Sequence, residues 1–182
     1  MSIESGTYEL GPENATLTVR TGRRGAIAKA GHDLRIEVEA WRATVLLSSD
    51  PSQSTLELAA DARSLRVREG SGGLQSLDAG ARAGIDQTIN DEVLKGTAIA
   101  FRSREVSQAH DGGLFVTGAL ELAGATHPIS FDLQIGDDGQ VSGNAVVKQT
   151  EWGMKPYTAL FGTLKVADEV HVSIDGRLAL RQ

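Results

Sequence analysis

The chain has no cysteine among its 182 residues, so it forms no disulfide, offers no thiolate to a metal and has no thiol nucleophile. Aromatics are almost as scarce, with four Phe, two Trp and two Tyr against 21 Gly. A core built from Val, Leu, Ile and Ala has few bulky fillers and room to be hollow. Cations are in the minority: 18 Lys and Arg stand against 24 Asp and Glu, a formal charge of −6. That balance argues against a nucleic-acid binder, whose affinity rests on a concentrated basic footprint. No uncharged apolar stretch reaches the ~20 residues of a membrane helix, so stable membrane insertion is not expected. The first residues, Met1-Ser2-Ile3-Glu4-Ser5-Gly6, have neither a basic n-region nor an apolar h-region, and Ser2 excludes myristoylation. A soluble, cytoplasmic protein is the expectation.

What is present suits one domain over residues 1–182, since about 100–200 residues per domain is usual. A 40% hydrophobic and 23% charged composition excludes wholesale disorder. The dominant hydrophobic period is two. Leu34, Ile36, Val38 and Ala40 share one parity while Arg35, Glu37 and Glu39 hold the other, the pattern of a half-buried strand. The same alternation marks Leu114, Val116, Leu120 and Leu122, then Ile129, Phe131, Leu133 and Ile135, then Val141, Gly143, Ala145 and Val147, and finally Val170, Val172 and Ile174. After Ala40 the apolar parity switches to Trp41, Ala43, Val45 and Leu47, and it switches again between Ala62 and Leu65. Unbroken strands would turn inside out there, so bends are predicted near 40–42 and 62–64. Long bent strands joined by short turns at Asp111-Gly112-Gly113, Gly124-Ala125-Thr126 and Asp137-Asp138-Gly139 suit an antiparallel barrel. One segment departs from this period. Leu77, Ala81, Ile85, Ile89 and Val93 recur every four residues, predicting one amphipathic helix over 77–94, started by Asp78 and covering an open end or side of the sheet.

Chemistry has few candidates. His32, His110, His127 and His171 are scattered, without His-x-His or His-Glu-x-x-His spacing, so no metal site is expected from them. His110 and His171 read as solvated and His127 as structural or exposed. His32 differs, because the adjacent Asp33 could fix its imidazole tautomer and make it a general base. The glycines and cations of Gly22-Arg23-Arg24-Gly25 lack a Gly-Lys-Ser/Thr ending, and no Gly-x-Ser-x-Gly elbow exists. The most unusual segment runs from Trp152 to Phe161 and includes Met154 and Tyr157: it holds three of the eight aromatics, yet Gly153 and Pro156 make it a loop. Such an apolar loop either plugs the end of a barrel or borders an apolar opening.

Several pieces in order resemble the YceI-like family of lipocalin-like, polyisoprenoid-binding proteins. Gly6-Thr7-Tyr8-Glu9-Leu10 is similar to its first strand, and Ile89-Asn90-Asp91-Glu92-Val93-Leu94 with Phe101-Arg102-Ser103 to its middle segment. Gly118-Ala119-Leu120 through Gly124-Ala125-Thr126-His127-Pro128 resembles its Gly-x-Leu…Gly-x-Thr-x-Pro hairpin. Glu151-Trp152-Gly153-Met154 looks like its acidic-aromatic-Gly-apolar piece, and Asp168-Glu169-Val170 like its penultimate turn. Gly11, Asn14-Ala15, Thr97 and Gln149 depart from the family pattern and mark a divergent branch.

The resemblance implies a mainly all-β fold: an eight-stranded antiparallel lipocalin-like barrel with one amphipathic helix, enclosing a tunnel for a prenyl chain. It implies no catalytic residue, no cofactor and no metal; a bound isoprenoid lipid is its expected ligand, and a homodimer is left open. Ile36, Val38, Phe101, Val116, Phe131 and Leu133 are expected to face inward, with His32 and Met154 in the site and Trp152, Tyr157 and Phe161 at the mouth. The leading reading is a non-enzymatic carrier or sequestering protein for an isoprenoid quinone or polyprenyl derivative. An enzyme using His32 and Asp33, and a filled barrel acting as an interaction module, are the competing readings.

Overall fold

The computed structural model describes residues 4–159 and 164–181. Alternation governs the first half of the chain: β1 (Gly6–Leu10), β2 (Ala15–Arg24), β3 (His32–Val38), β4 (Trp41–Leu47), β5 (Thr55–Asp61) and β6 (Leu65–Gly72) follow one another. The helix α1 (Ala79–Thr88) intervenes, and β7 (Ala98–Gln108), β8 (Leu114–Leu122), β9 (Ala125–Ile135), β10 (Gln140–Lys148), β11 (Thr158–Ala159), β12 (Leu164–Arg177) and β13 (Ala179–Leu180) complete the chain.

The predicted bends are real and have local causes. Between β3 and β4 the chain turns at residues 39–40, and between β5 and β6 at the 3-10 turn Ala62–Ser64. Asp61 caps that turn by accepting from the Arg63 N–H at 2.8 Å. The two corners are tied together, the Glu39 N–H donating to Ser64 O at 3.0 Å and the Asp61 N–H to Ala40 O at 2.9 Å. Beyond the bend Trp41, Ala43, Val45 and Leu47 are all buried, so the parity switch keeps one face inward throughout. A third corner, between β1 and β2, is stitched by Asn14, whose side-chain amide donates to Glu9 O at 3.0 Å and to Arg177 O at 2.9 Å.

The strands make one antiparallel sheet in the order β13-β1-β4-β5-β7-β8-β9-β10-β12-β2-β3-β6, with β11 added to β12. This corrects the expected closed eight-stranded barrel. Thirteen strands among the described residues form an open half-barrel whose edges stand 23 Å apart. Joining the segments across the three corners, and leaving out the two-residue β11 and β13, gives eight chain runs, the number that the family resemblance implies. The ladder, however, starts at the two-residue β13 and ends at β6, which has a helix beside it instead of a further strand.

That helix also differs from a uniform run over 77–94. Asp78 caps it, accepting from the Ala81 N–H at 2.7 Å. The α-helix stops at Thr88 and a π turn follows over Ile89–Val93, closed by the Leu94 N–H donating to Ile89 O at 2.8 Å. An apolar period of four exceeds the 3.6 residues of an α-turn. The wider turn brings Val93 back to the side held by Ala81, Ile85 and Ile89, and all four line the same cavity.

Candidate functional site

The concave face of the half-barrel and α1 enclose a cavity of about 660 Å³, partly open to solvent. Strand alternation supplies its walls: inward positions of every strand except β11 and β13 carry aliphatic side chains such as Val19, Ile36, Leu58, Leu133 and Val172. No Asp, Glu, Lys or Arg is among the described residues that line it; its polar members include Thr21, His32, Gln149 and Tyr157. Two rings give it shape. Phe101 and Phe131 lie with centroids 5.3 Å apart at 57°, and Gly118 makes room for this pair, since a Cβ there would stand 2.5 Å from Phe101 Cζ. The volume falls within the about 300–1,000 Å³ of ordinary ligand cavities.

Charge is kept to the outside of the sheet. On the outward positions of β3 and β6, Arg35 bonds Glu37 at 2.6 Å and Glu69 at 2.9 Å, while Arg68 bonds Glu37 at 2.8 Å and Glu39 at 2.6 Å. The hydrogen bonds from Arg68 and Arg35 hold the Glu37 carboxyl below its ordinary range; the bonds to Glu69 and then Glu37 raise the Arg35 guanidinium, and the bond to Glu37 raises that of Arg68.

The expected site residues divide into three groups. Ile36, Val38, Phe101, Phe131 and Leu133 line the cavity, as do His32, Met154 and Tyr157. Val116 and Trp152 do not. Val116 is 1% exposed and belongs to the packed core. Trp152, expected at the mouth, is 2% exposed and donates its indole N–H to Leu120 O at 2.9 Å, with the His127 ring edge-on at 5.5 Å. An indole N–H buried without an acceptor is costly, and the Leu120 carbonyl draws this ring into the wall. Phe161 lies outside the described residues.

The apolar loop is therefore neither wholly plug nor wholly mouth. Gly153, in a left-handed conformation at φ 70°, ends the turn Gln149–Trp152 and sends the chain away from the buried ring. Met154 stays buried against the cavity, whereas Tyr157 is 45% exposed and touches the cavity from its rim.

His32 and Asp33 do not form a pair. As successive residues of β3 they point to opposite faces. His32 places Nε2 2.6 Å from Gln75 O, and Asp33 instead sits 3.4 Å from the Arg23 Nε. The orientation that general-base chemistry would require is absent. His110, His127 and His171 are exposed, and no group of three or more His, Asp or Glu among the described residues is placed to hold a metal ion. No helix among the described residues is long and apolar enough to cross a membrane.

Sequence reasoning missed Gly84 and Thr88 of α1 and the buried Gln149, all of which line the cavity. The Gln149 amide donates to Ala167 O at 3.0 Å, a contact 18 residues away that no local pattern announces. For α1 the signal was present, because Gly84 and Thr88 flank Ile85 on the side that carries the apolar stripe.

Comparison with known proteins agrees with this geometry. A family model described as a YceI-like domain matches residues 8–178. Among solved structures, BcnA of Burkholderia cenocepacia is similar with a TM-score of 0.64 at 14% identity, over 91% of this chain and 96% of that one. The YCEI protein of Campylobacter jejuni gives 0.57 at 15% identity, over 81% of this chain and 84% of that one. A mutant of it with a monobromobimane guest gives 0.59 at the same identity and coverage. At such identities these likenesses show the fold alone. No curated protein matches the chain.

Proposed function

The chain belongs to the YceI-like family, a non-catalytic lipid-carrier fold, and on that premise we propose that it binds and carries a long apolar lipid, an isoprenoid quinone or polyprenyl derivative. The observation that carries this reading is the cavity of about 660 Å³ without a charged side chain among its described lining residues. Burying a prenyl tail there gains about 0.8 kcal/mol per CH₂-sized group before the cost of immobilising it. His32, Ile36, Val38, Phe101, Phe131, Leu133 and Met154 would contact the chain, and Tyr157 would meet its outer end. At positions that depart from the family pattern the chain keeps its hydrogen bonds: the Gly11 N–H donates to the Asn14 side chain and the Thr97 hydroxyl to Leu94 O, both within three residues, while Gln149 reaches Ala167 O across 18.

The test is organic extraction of the purified protein followed by mass spectrometry. A prenyl lipid near one per chain is expected, and prenyl alcohols should displace a fluorescent apolar dye. Protein free of lipid that also takes up no prenyl probe would overturn the reading. The filled interaction module is disfavoured by the cavity itself.

A further inference from the structure

Three segments meet beside the cavity-lining residues Gly31, His32 and Tyr157, and their exposed side chains combine large apolar groups with cations, which the cavity lining lacks. Backbone pairing ties them together. Tyr157 O accepts from the Val166 N–H at 2.9 Å, and Val166 pairs with Arg23 across β12 and β2. Arg23 in turn donates to Gly31 O and lies against Gly72, while the His32 ring lies against Gly73. The turn 25–31, the connection 73–78 and the loop 154–157 thus form one rim around Gly31, His32 and Tyr157, which line the cavity.

Each of these segments exposes one large apolar side chain. Ile27 is 40%, Leu74 82% and Tyr157 45% exposed, and Leu74 is the most exposed large hydrophobic group among the described residues. The remaining ones, Leu46, Phe115, Val146 and Leu180, stand on four separate strands. The same rim is basic in a chain of net charge −6. Arg24 and Lys165 are cross-strand partners, and Lys29 and Lys155 belong to the adjoining turns. None of these four makes an ion pair among the described residues. The acidic groups nearby are engaged: Asp33 with Arg23, Asp78 with the first turn of α1. Glu169 shares a recess with Arg20, Arg23 and Arg24.

We propose that this rim docks on an anionic phospholipid bilayer, with Ile27, Leu74 and Tyr157 entering the headgroup region and Arg24, Lys29, Lys155 and Lys165 over the phosphates. Apolar tips on separate turns, an amphipathic ring and unpaired cations suit an interface between water and lipid. Each cation near such a surface raises partitioning about fivefold, within a Debye length. The proposal rests on the carrier reading, because a water-insoluble ligand is exchanged without crossing water only if the opening faces the membrane.

The experiment is sedimentation of the full chain with vesicles of phosphatidylcholine mixed with phosphatidylglycerol, and with phosphatidylcholine alone, at low and high salt. Binding is expected on the anionic vesicles and should weaken with salt. The double variant Ile27→Asp/Leu74→Asp should abolish it, and Lys29→Glu/Lys165→Glu should lower it by about tenfold or more. Displacement of an apolar dye by farnesol, measured without vesicles, should be unchanged in both variants. No binding to anionic vesicles by a protein that takes up farnesol overturns the docking proposal and leaves the carrier reading standing. Failure to take up farnesol overturns the carrier reading separately. If the wild type self-associates without lipid and Leu74→Asp makes it monomeric, the rim is a contact between copies and the docking proposal fails.

Discussion

The Asp86 carboxylate on α1 accepts a hydrogen bond from the Val67 backbone N–H on β6 at 2.8 Å. Val67 belongs to the last strand of the sheet order, so this N–H has no further strand to pair with. One residue on, Arg68 is the extra residue of a bulge between the pairs Ile36–Val67 and Arg35–Glu69, and its carbonyl accepts from the Arg82 guanidinium at 3.2 Å. Two side chains of one helix thus close the open edge of the half-barrel, where an uncovered strand would invite pairing with another chain. Asp86→Ala should lower stability by about 1–3 kcal/mol, the cost of a buried donor left without a partner. Urea unfolding should show a lower midpoint with an unchanged slope, and the Val67 amide should exchange faster; Asp86→Asn, which keeps an acceptor, should recover part of the loss.

The cavity makes a second prediction through volume. Ala145 on β10 lines it. With the half-barrel hollow, Ala145→Leu adds apolar atoms to empty space, so stability should hold or rise while uptake of an apolar dye falls. In a filled interior the same change would overpack and cost about 1–3 kcal/mol. Thermal unfolding and dye titration on one variant separate the two cases.

Much of this architecture could be read from periodicity, and the exceptions share a cause. The parity switches after Ala40 and between Ala62 and Leu65 announce bends because strand side chains alternate with a period of two. The stripe Ala81, Ile85, Ile89 and Val93 announces a covering helix for the same kind of reason. What periodicity cannot carry is the partner of a single polar atom. Adjacency suggested His32 and Asp33 as a pair, but neighbours on a strand face opposite ways, and their partners are Gln75 and Arg23. Aromatic bulk suggested Trp152 at the mouth, yet the acceptor of its N–H lies 32 residues away. The closure implied by the resemblance failed in the same manner, since matching sequence pieces in order do not say where a hydrogen-bond ladder ends.

The outer charge lattice predicts an acid sensitivity. Glu37 accepts from Arg68 and Arg35, and these bonds hold its carboxyl below the ordinary value of 4.5. A carboxyl depressed in the folded state is protonated first in the unfolded one. Its stabilising contribution is therefore complete above the ordinary value and is lost as pH falls through the folded one. Glu37→Gln should be less stable than the wild type at neutral pH, and the two melting curves should converge on acidification below about pH 4. The pair is partly exposed, so the gap should also narrow in high salt. A gap independent of pH would assign Glu37 a packing role instead.

Trp152 tests how the wall of the cavity is held. Its ring sits inside the wall, anchored by Leu120 O and edged by His127, and it does not face the cavity. Trp152→Phe keeps an aromatic ring but removes the donor and part of the buried volume, which should cost about 1–3 kcal/mol. Because the lost contacts lie behind the lining, affinity for an apolar dye should stay within about twofold of wild type at temperatures where both are folded. Tyr157→Ala should show the opposite pattern, weaker uptake with little change in melting temperature, since that ring is on the rim and 45% exposed. Equal loss of uptake in both variants would place Trp152 at the ligand and refute its role as an anchor.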